Sequence, residues 1–169
     1  EPVPFSTFVM LRYMEAAGER LGCFGAWSFQ CTPDRERTTE FLFSLAGCRI
    51  ESSDVLAWTQ YGLFRCEMFR RGARFEESGP FGEPGHGLED VDFAFQMNAL
   101  GYENHYFSGM WYLHRNLSSS VGILREQGVN PTAAYYARRD YLVHKWERNP
   151  AAGNALGWLR RARPPWPGE

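Results

Sequence analysis

The sequence predicts an α/β domain, because segments with helical periodicity alternate with extended apolar segments along the chain. A first helix is expected to begin at Ser6 and to end at Gly22. It carries four apolar residues at helical spacing: Met10, Met14, Ala17 and Leu21. The run 23–29 has the composition of a buried strand. The alternation then recurs, with a predicted helix over 89–100 and an extended run over 105–113.

Length and composition are those of one domain with a buried core. The chain has 169 residues, of which 44% are hydrophobic and 16% aromatic, and two domains would be cramped. A net charge of −2, without aromatic residues interleaved among basic clusters, argues against a nucleic acid partner. The four cysteines form no Cys-x-x-Cys pair, so we expect free thiols and no structural zinc. Neither a secretory leader nor an apolar run of membrane-spanning length is present, which makes a cytoplasmic setting the expectation.

The most informative feature is an acidic cluster behind a glycine- and proline-rich segment, 78–87, which is predicted to be irregular. Glu89, Asp90 and Asp92 put three carboxylates into four positions at the predicted start of a helix. The helix macrodipole would explain one acid, which it stabilises by roughly 0.3 to 1 kcal/mol. Three acids repel one another and exceed what capping requires. The cluster is therefore either a helix start or a site whose carboxylates accept a proton from a hydroxyl or help to hold a metal ion.

The remaining segments complete the predicted order of elements. Short helices are predicted over 39–46 and 66–71, and an extended segment over 55–64. Pro131 opens an amphipathic helix whose basic residues are expected on its exposed face: Arg138, Arg139, Lys145 and Arg148. The segment 155–169 mixes tryptophans with arginines. Two interpretations of it are open, a weak peripheral contact with a membrane surface and a partly packed terminus.

The region around the acids resembles a known family. The run 85–92 (GHGLEDVD), a helix ending in Leu-Gly-Tyr at 100–102, a strand, and then His114 are similar to the Glu-Asp motif region of family 2 glycosyltransferases and their relatives of the galactosyltransferase C-terminal type. The segments 62–65, 75–81 and 135–142 are similar to those that flank this motif. The resemblance covers most of the chain and implies a partial GT-A (Rossmann-like) domain, a mixed sheet flanked by helices. Residues 1–150 would form its acceptor-side half, and residues 151–169 a C-terminal tail.

The functional residues of the family match three positions of this chain. Asp90 matches the general base of inverting members, which takes the proton of an acceptor hydroxyl as its oxygen attacks the anomeric carbon. Glu89 matches the first acid of the motif, expected to bind an acceptor hydroxyl or orient the site, whereas Asp92 is assigned to the helix start and to packing against polar neighbours. His114 matches a histidine that in some relatives joins a divalent metal, Mn²⁺ or Mg²⁺, at the donor diphosphate. The alternative for His114 is a strand-end histidine bonded to the backbone.

Four further residues are candidates for substrate binding: Trp58, Gln60, Gly87 and Trp111. The tryptophans and the glutamine could supply stacking and hydrogen bonds to a sugar ring, although each is also compatible with ordinary packing. Gly87 belongs to the glycine-rich segment beside the acids, and such loops often border active sites. The expected partners are a nucleotide-sugar donor and a hydroxyl-bearing acceptor, which is a saccharide, a peptide or a lipid.

The chain departs from the family in its first half. Nothing in it matches the family's nucleotide-binding segments or its Asp-x-Asp motif, and residues 1–5 resemble the sequence just after that motif. We therefore expect the donor-binding half to be missing from this chain, and the chain alone to bind a nucleotide-sugar poorly. The predicted function is that of an inverting glycosyltransferase of the hexosyltransferase type. The alternatives are a non-catalytic module that binds a saccharide or a protein, and a metal-dependent hydrolase that uses the same acids.

Overall fold

A computed structural model of the protein describes residues 6–31, 50–55, 62–115 and 120–164. Within these ranges there are six α-helices: α1 (Ser6–Ala16), α2 (Cys66–Arg70), α3 (Glu89–Ala99), α4 (Ser120–Glu126), α5 (Pro131–Trp146) and α6 (Gly153–Arg161). There are four strands: β1 (Leu21–Cys31), β2 (Ile50–Ser52), β3 (Gly62–Phe64) and β4 (Glu103–Arg115). Two short 3-10 helices cover Gly79–Phe81 and Pro150–Ala152.

The four strands form one mixed sheet in the order β2-β4-β1-β3. The central strands β1 and β4 are parallel, whereas β2 pairs antiparallel with β4 and β3 pairs antiparallel with β1. Helices flank this sheet, so the predicted α/β class with a mixed sheet is confirmed. The parallel pair requires a long crossover connection between its strands, and α3 is the last helix of that connection.

The pairing of β1 with β4 is interrupted near its middle. Ala26 pairs with Phe107, but the next residue of β1, Trp27, pairs with Trp111. Residues 108–110 of β4 therefore have no counterpart on β1. Such bulges bend a strand and are over-represented next to active sites.

Helix α3 is buried on two sides. Phe93, Ala94 and Met97 pack with Cys23 of β1 and Met68 of α2. Val91 and Phe95, on another face, pack with α5 and α6 through Leu142, Trp146 and Leu159. Spacings of three and four residues place each set on one side of the helix. The first turn of α3 is thus held between the sheet and α5.

The first helix ends earlier than its apolar spacing predicts. It stops at Ala16 instead of continuing to Gly22, and Leu21 belongs to β1, where it is buried. Gly18 has a φ of 83°, which breaks the helix, and Arg65 donates hydrogen bonds to the carbonyls of Met14, Gly18 and Leu21. The apolar residue at position 21 therefore fills the core from a strand and not from a helix.

Other predicted elements agree with the structure where it describes them. Helices α2, α3 and α5 lie where the sequence predicts them, and the Asn130 side chain caps α5 by accepting from the Ala133 amide at 3.0 Å. The extended run predicted over 105–113 belongs to the longer strand β4. The sequence did not predict α4 or β2. The helix predicted over 39–46 lies outside the described residues, as does the part of the 55–64 segment between residues 56 and 61.

The C-terminal segment contains the helix α6, which packs against α5. Ala155, Leu159 and Ala162 are buried, whereas Trp158 is 39% exposed. In the ranges given above, no helix combines the length and the apolar character needed to cross a bilayer.

The contacts of Arg65 give a test of how the first helix ends. We expect Arg65→Met to lower the free energy of unfolding by about 1–3 kcal/mol, because three backbone carbonyls lose a charged donor. Urea denaturation followed by circular dichroism measures this change. Arg20→Met is the matched control: Arg20 forms an exposed ion pair with Glu103, and such pairs contribute at most about 1 kcal/mol. Equal stability of the two variants would contradict the assigned role of Arg65.

Candidate active site

The start of α3 has an unusual backbone conformation. Leu88, the residue before the helix, has a φ of 73° and is the one non-glycine residue with positive φ in the described part of the chain. This left-handed conformation costs roughly 1–2 kcal/mol for a residue with a side chain. The Leu88 side chain is buried in the cluster that joins α3 to α5, and this packing offsets the cost. Backbone strain of this kind is concentrated at functional sites.

Two glycines allow the loop before α3 to lie close to α5. Gly87 has a φ of 90°, and a Cβ atom there would lie 3.3 Å from the ring of Tyr135. A Cβ atom on Gly85 would lie 2.8 Å from the guanidinium group of Arg138. Gly87 ends the glycine-rich segment two residues before Glu89, and its predicted role in substrate binding stays a prediction.

Arg138 of α5 holds this loop. Its side chain is buried and donates hydrogen bonds to three loop carbonyls, those of Pro80 (3.3 Å), Glu83 (3.2 Å) and Gly87 (3.4 Å). The guanidinium carbon lies 4.8 Å from the centre of the Phe81 ring, within the range of a cation–π contact. One side chain therefore connects α5 to both ends of the loop.

Glu89 is the partner of Arg138 on α3. Its Oε2 atom lies 3.6 Å from Nη1 of Arg138, and this oxygen is buried without a hydrogen bond from the described residues. The Glu89 side chain as a whole is 40% exposed, so its remaining atoms are accessible. Burial lowers the pKa of Arg138, and the charge of Glu89 opposes this effect. Glu89 is thus an accessible carboxylate held next to a buried cation.

Asp90 is half-buried in the first turn of α3. Burial, and then the negative charge of Glu89, raise the pKa of Asp90 to about 6, although hydrogen bonds from backbone amides act in the opposite direction. One of these bonds comes from the Val91 amide to Oδ1 at 2.9 Å. Burial and then the charge of Asp90 also raise the pKa of Tyr135. A carboxyl group with this pKa is ionised at neutral pH and is still a competent proton acceptor.

Asp92 has a different environment from Asp90. It is fully buried, and its two oxygens accept hydrogen bonds from Trp146 Nε1 (2.7 Å), Lys145 Nζ (3.0 Å) and Gln96 Nε2 (2.6 Å). All of these partners are supplied by α3 and α5. Asp92 therefore has the packing role that the sequence assigned to it.

Lys145 extends this network to Glu76, with which it forms a second ion pair. Burial alone would raise the pKa of Glu76, but hydrogen bonds from Lys145 and Ser78 prevail and hold it at about 2. The stability that this carboxylate contributes is present above its ordinary pKa of 4.5 and is lost as the pH falls towards 2.

The direction of α3 determines where along β4 the acids lie. A turn at residues 100–102 joins α3 to β4, and Asn104 near the start of β4 donates to Asn98 near the end of α3 at 3.4 Å. The helix therefore runs back along the strand, and its first turn lies beside the middle of β4, further along that strand than its last turn.

The structure brings together only part of the predicted site. Asp90, Glu89 and Gly87 are adjacent at the start of α3. His114 and Trp111 lie on β4 beyond the bulge, where His114 pairs with Gln30 in the strand register, and their side chains are not described. The predicted residues Trp58 and Gln60 lie outside the described residues.

The predicted metal site stays a prediction. Among the side chains that the structure describes, no group of three or more His, Cys, Asp or Glu is arranged to hold a metal ion. Since the side chain of His114 is not among them, its assignment as a metal ligand is not tested.

One of the four basic residues expected on the exposed face of α5 does not lie there. Arg138 is buried, whereas Lys145 and Arg148 are exposed as predicted and Arg139 is intermediate. The buried residues of α5 recur at intervals of three and four: Pro131, Tyr135, Arg138, Leu142 and Trp146. Position 138 thus belongs to the apolar stripe, and this spacing was the signal that could have identified it.

No family model, no curated protein sequence and no solved structure matches the chain.

Asp90 and Asp92 are expected to respond oppositely to the same substitution. Because the folded state raises the pKa of Asp90 from 3.8 to about 6, it disfavours the ionised form. The corresponding stability is present below pH 3.8 and is lost as the pH rises through about 6. Asp90→Asn should therefore stabilise the protein by about 1–3 kcal/mol above pH 7, and this gain should vanish as the pH falls towards 4.

Asp92→Asn is the matched control. It should destabilise the protein by about 1–3 kcal/mol at pH 7, because an amide replaces the charged acceptor of three hydrogen bonds, while Lys145 keeps Glu76 as its other partner. Urea unfolding of both variants between pH 4.5 and 8 measures these changes. A loss of stability in Asp90→Asn at pH 8 would contradict the environment assigned to Asp90.

Proposed function

We propose that this chain is the acceptor side of an inverting glycosyltransferase with a partial GT-A fold, in which Asp90 is the general base. The observation that carries the proposal is the contrast between the environments of Asp90 and Asp92, which lie within one turn of α3. Asp92 is fully satisfied by packing partners, whereas Asp90 is half-buried with a raised pKa and has no described cation on its own carboxylate. The resemblance of segment 85–92 to the Glu-Asp motif supports the same assignment.

The chemistry requires a base on the acceptor side. As the acceptor oxygen attacks the anomeric carbon from the face opposite the leaving nucleotide, its proton moves to an Oδ atom of Asp90. The bond to the nucleotide breaks in the same step, and the leaving group departs with the bonding electron pair. A base with a pKa near 6 is ionised at neutral pH and typically contributes a factor of about 100 to 10,000 to the rate.

Glu89 and the loop are proposed to bind the acceptor. The exposed part of the Glu89 carboxylate can accept a hydrogen bond from a second hydroxyl of the sugar, while Arg138 keeps its other oxygen in place. Gly87 stands three residues before Asp90, and the absence of a side chain there lets the loop backbone lie against the ring of Tyr135. A divalent ion such as Mn²⁺ or Mg²⁺, with His114 among its ligands, would neutralise the diphosphate of the donor.

Substitution of the base tests this proposal directly. In the full-length protein, Asp90→Asn should lower sugar transfer by about 100- to 10,000-fold, because the amide cannot take the proton. Nucleotide release from a panel of UDP-, GDP- and dTDP-sugars, with Mn²⁺ and a mixture of acceptor glycosides, measures the activity. Asp140→Asn changes an exposed aspartate of α5 and should leave transfer unaffected. Transfer that is unchanged in Asp90→Asn would refute the role of this residue.

The pH dependence provides a second test. Because Asp90 must be ionised to act, kcat/KM should rise about tenfold per pH unit below pH 6 and become level above it. The residual activity of Asp90→Asn should lack this transition. A profile of the parent protein that is flat between pH 4.5 and 7 would argue against a base with the pKa of Asp90.

A further inference from the structure

We propose that Arg138 is a positioning residue that fixes the loop 79–87 and Glu89 relative to Asp90. The inference rests on the proposed function, since it concerns the geometry of the same site. Arg138 lies on α5, a separate element from the helix and loop that supply the acids and the glycines. It is therefore placed to hold these parts in one arrangement from outside.

Each guanidinium nitrogen of Arg138 has its own partner in the site. Nε donates to Pro80, Nη2 donates to Glu83, and Nη1 donates to Gly87 and lies 3.6 Å from the carboxylate of Glu89. Each nitrogen thus serves a different part of the site. A planar guanidinium can do this because its five N–H groups have fixed directions, whereas a lysine ammonium is a compact charge on a flexible stem.

The guanidinium of Arg138 is also closely packed. It lies over the Phe81 ring and leaves no room for a side chain at Gly85, where a Cβ atom would approach it to 2.8 Å. The loop sequence is therefore adapted to an arginine in this position. An alanine at position 85 would push the guanidinium away without removing any of its donors.

Loss of the Arg138 contacts is expected to slow catalysis, because rates depend steeply on the positions of the reacting groups. A displacement of about 1 Å in a reacting group can reduce a rate by about 100-fold. Arg138 contacts Gly87 and Glu89, which stand three residues and one residue before Asp90. Loss of its contacts would allow the loop and the first turn of α3 to move together, so the acceptor would be held less accurately against the base.

The test compares Arg138→Lys and Gly85→Ala with a neighbouring control. Arg139→Lys is suitable because Arg139 is also stacked on an aromatic ring, that of Tyr136, and also pairs with a carboxylate. In the full-length protein, hydrogen exchange of the amides in 79–90 reports on the loop, and nucleotide release from the UDP-, GDP- and dTDP-sugar panel gives kcat and KM. In Arg138→Lys and Gly85→Ala we expect at least tenfold faster exchange and a fall in kcat of about 100-fold, with an unchanged KM for the donor. Arg139→Lys should change neither.

The outcomes separate this inference from the proposed function. Parent-like exchange and kcat in Arg138→Lys would overturn the positioning role even if Asp90→Asn abolishes transfer. If Asp90→Asn leaves transfer unchanged, the proposed function fails, and parent-like exchange in Arg138→Lys would then overturn the positioning role independently. Should Arg138→Lys not fold, Gly85→Ala decides, because it retains the charge and all donors. A fall in kcat without faster loop exchange would also contradict the inference.

Discussion

The buried carboxylate of Asp92 constrains how α3 lies on α5. Burying a charge costs several kcal/mol unless it is paired and hydrogen-bonded, and breaking a buried pair costs about 3–5 kcal/mol. Its partners Lys145 and Trp146 stand in the last turn of α5, so α3 cannot rotate or slide without leaving this charge unsatisfied. The orientation of Asp90, two residues earlier on the same helix, is fixed as a result. A packing interaction thereby determines where the carboxylate of Asp90, the proposed base, points.

The two aspartates illustrate how environment assigns roles to identical side chains. Positions 90 and 92 face nearly opposite sides of the helix, because successive residues are separated by about 100°. Asp92 turns towards α5 and receives three donors, whereas burial and then the like charge of Glu89 raise the pKa of Asp90. The cation beside Glu89 is Arg138, which itself is committed to the loop carbonyls. Such an arrangement lowers stability at neutral pH, and proteins retain a cost of this kind mainly where function requires it.

Local patterns in the sequence were sufficient to predict the bounds of some helices and strands but not of others. The periodicity around Phe93 and Met97 predicted α3 correctly, since the same residues that mark the pattern fill the core. The end of α1 was missed because the apolar spacing continues to Leu21, whereas the helix is broken at Gly18. Arg65, more than 40 residues later, donates to Met14 of the helix and to Gly18 and Leu21 after it. Arg138 was placed on the surface on account of its charge, although loop carbonyls far away in sequence provide its partners. The sequence identified the acids of α3 as a cluster. It could not show that Asp92 packs against α5 while Asp90 stays half-buried, because this depends on which face of α3 meets α5.

The lengths of α3 and β4 show where Glu89 and Asp90 lie relative to the second half of β4. Eleven helical residues of α3 span about 16 Å at 1.5 Å per residue, whereas a strand covers that distance in about five residues at 3.3 Å each. Since α3 runs back along β4 from its first residue, Glu103, the start of the helix is level with the bulge at 108–110. The part of β4 beyond the bulge, which includes His114, therefore extends past the acids and not beneath them.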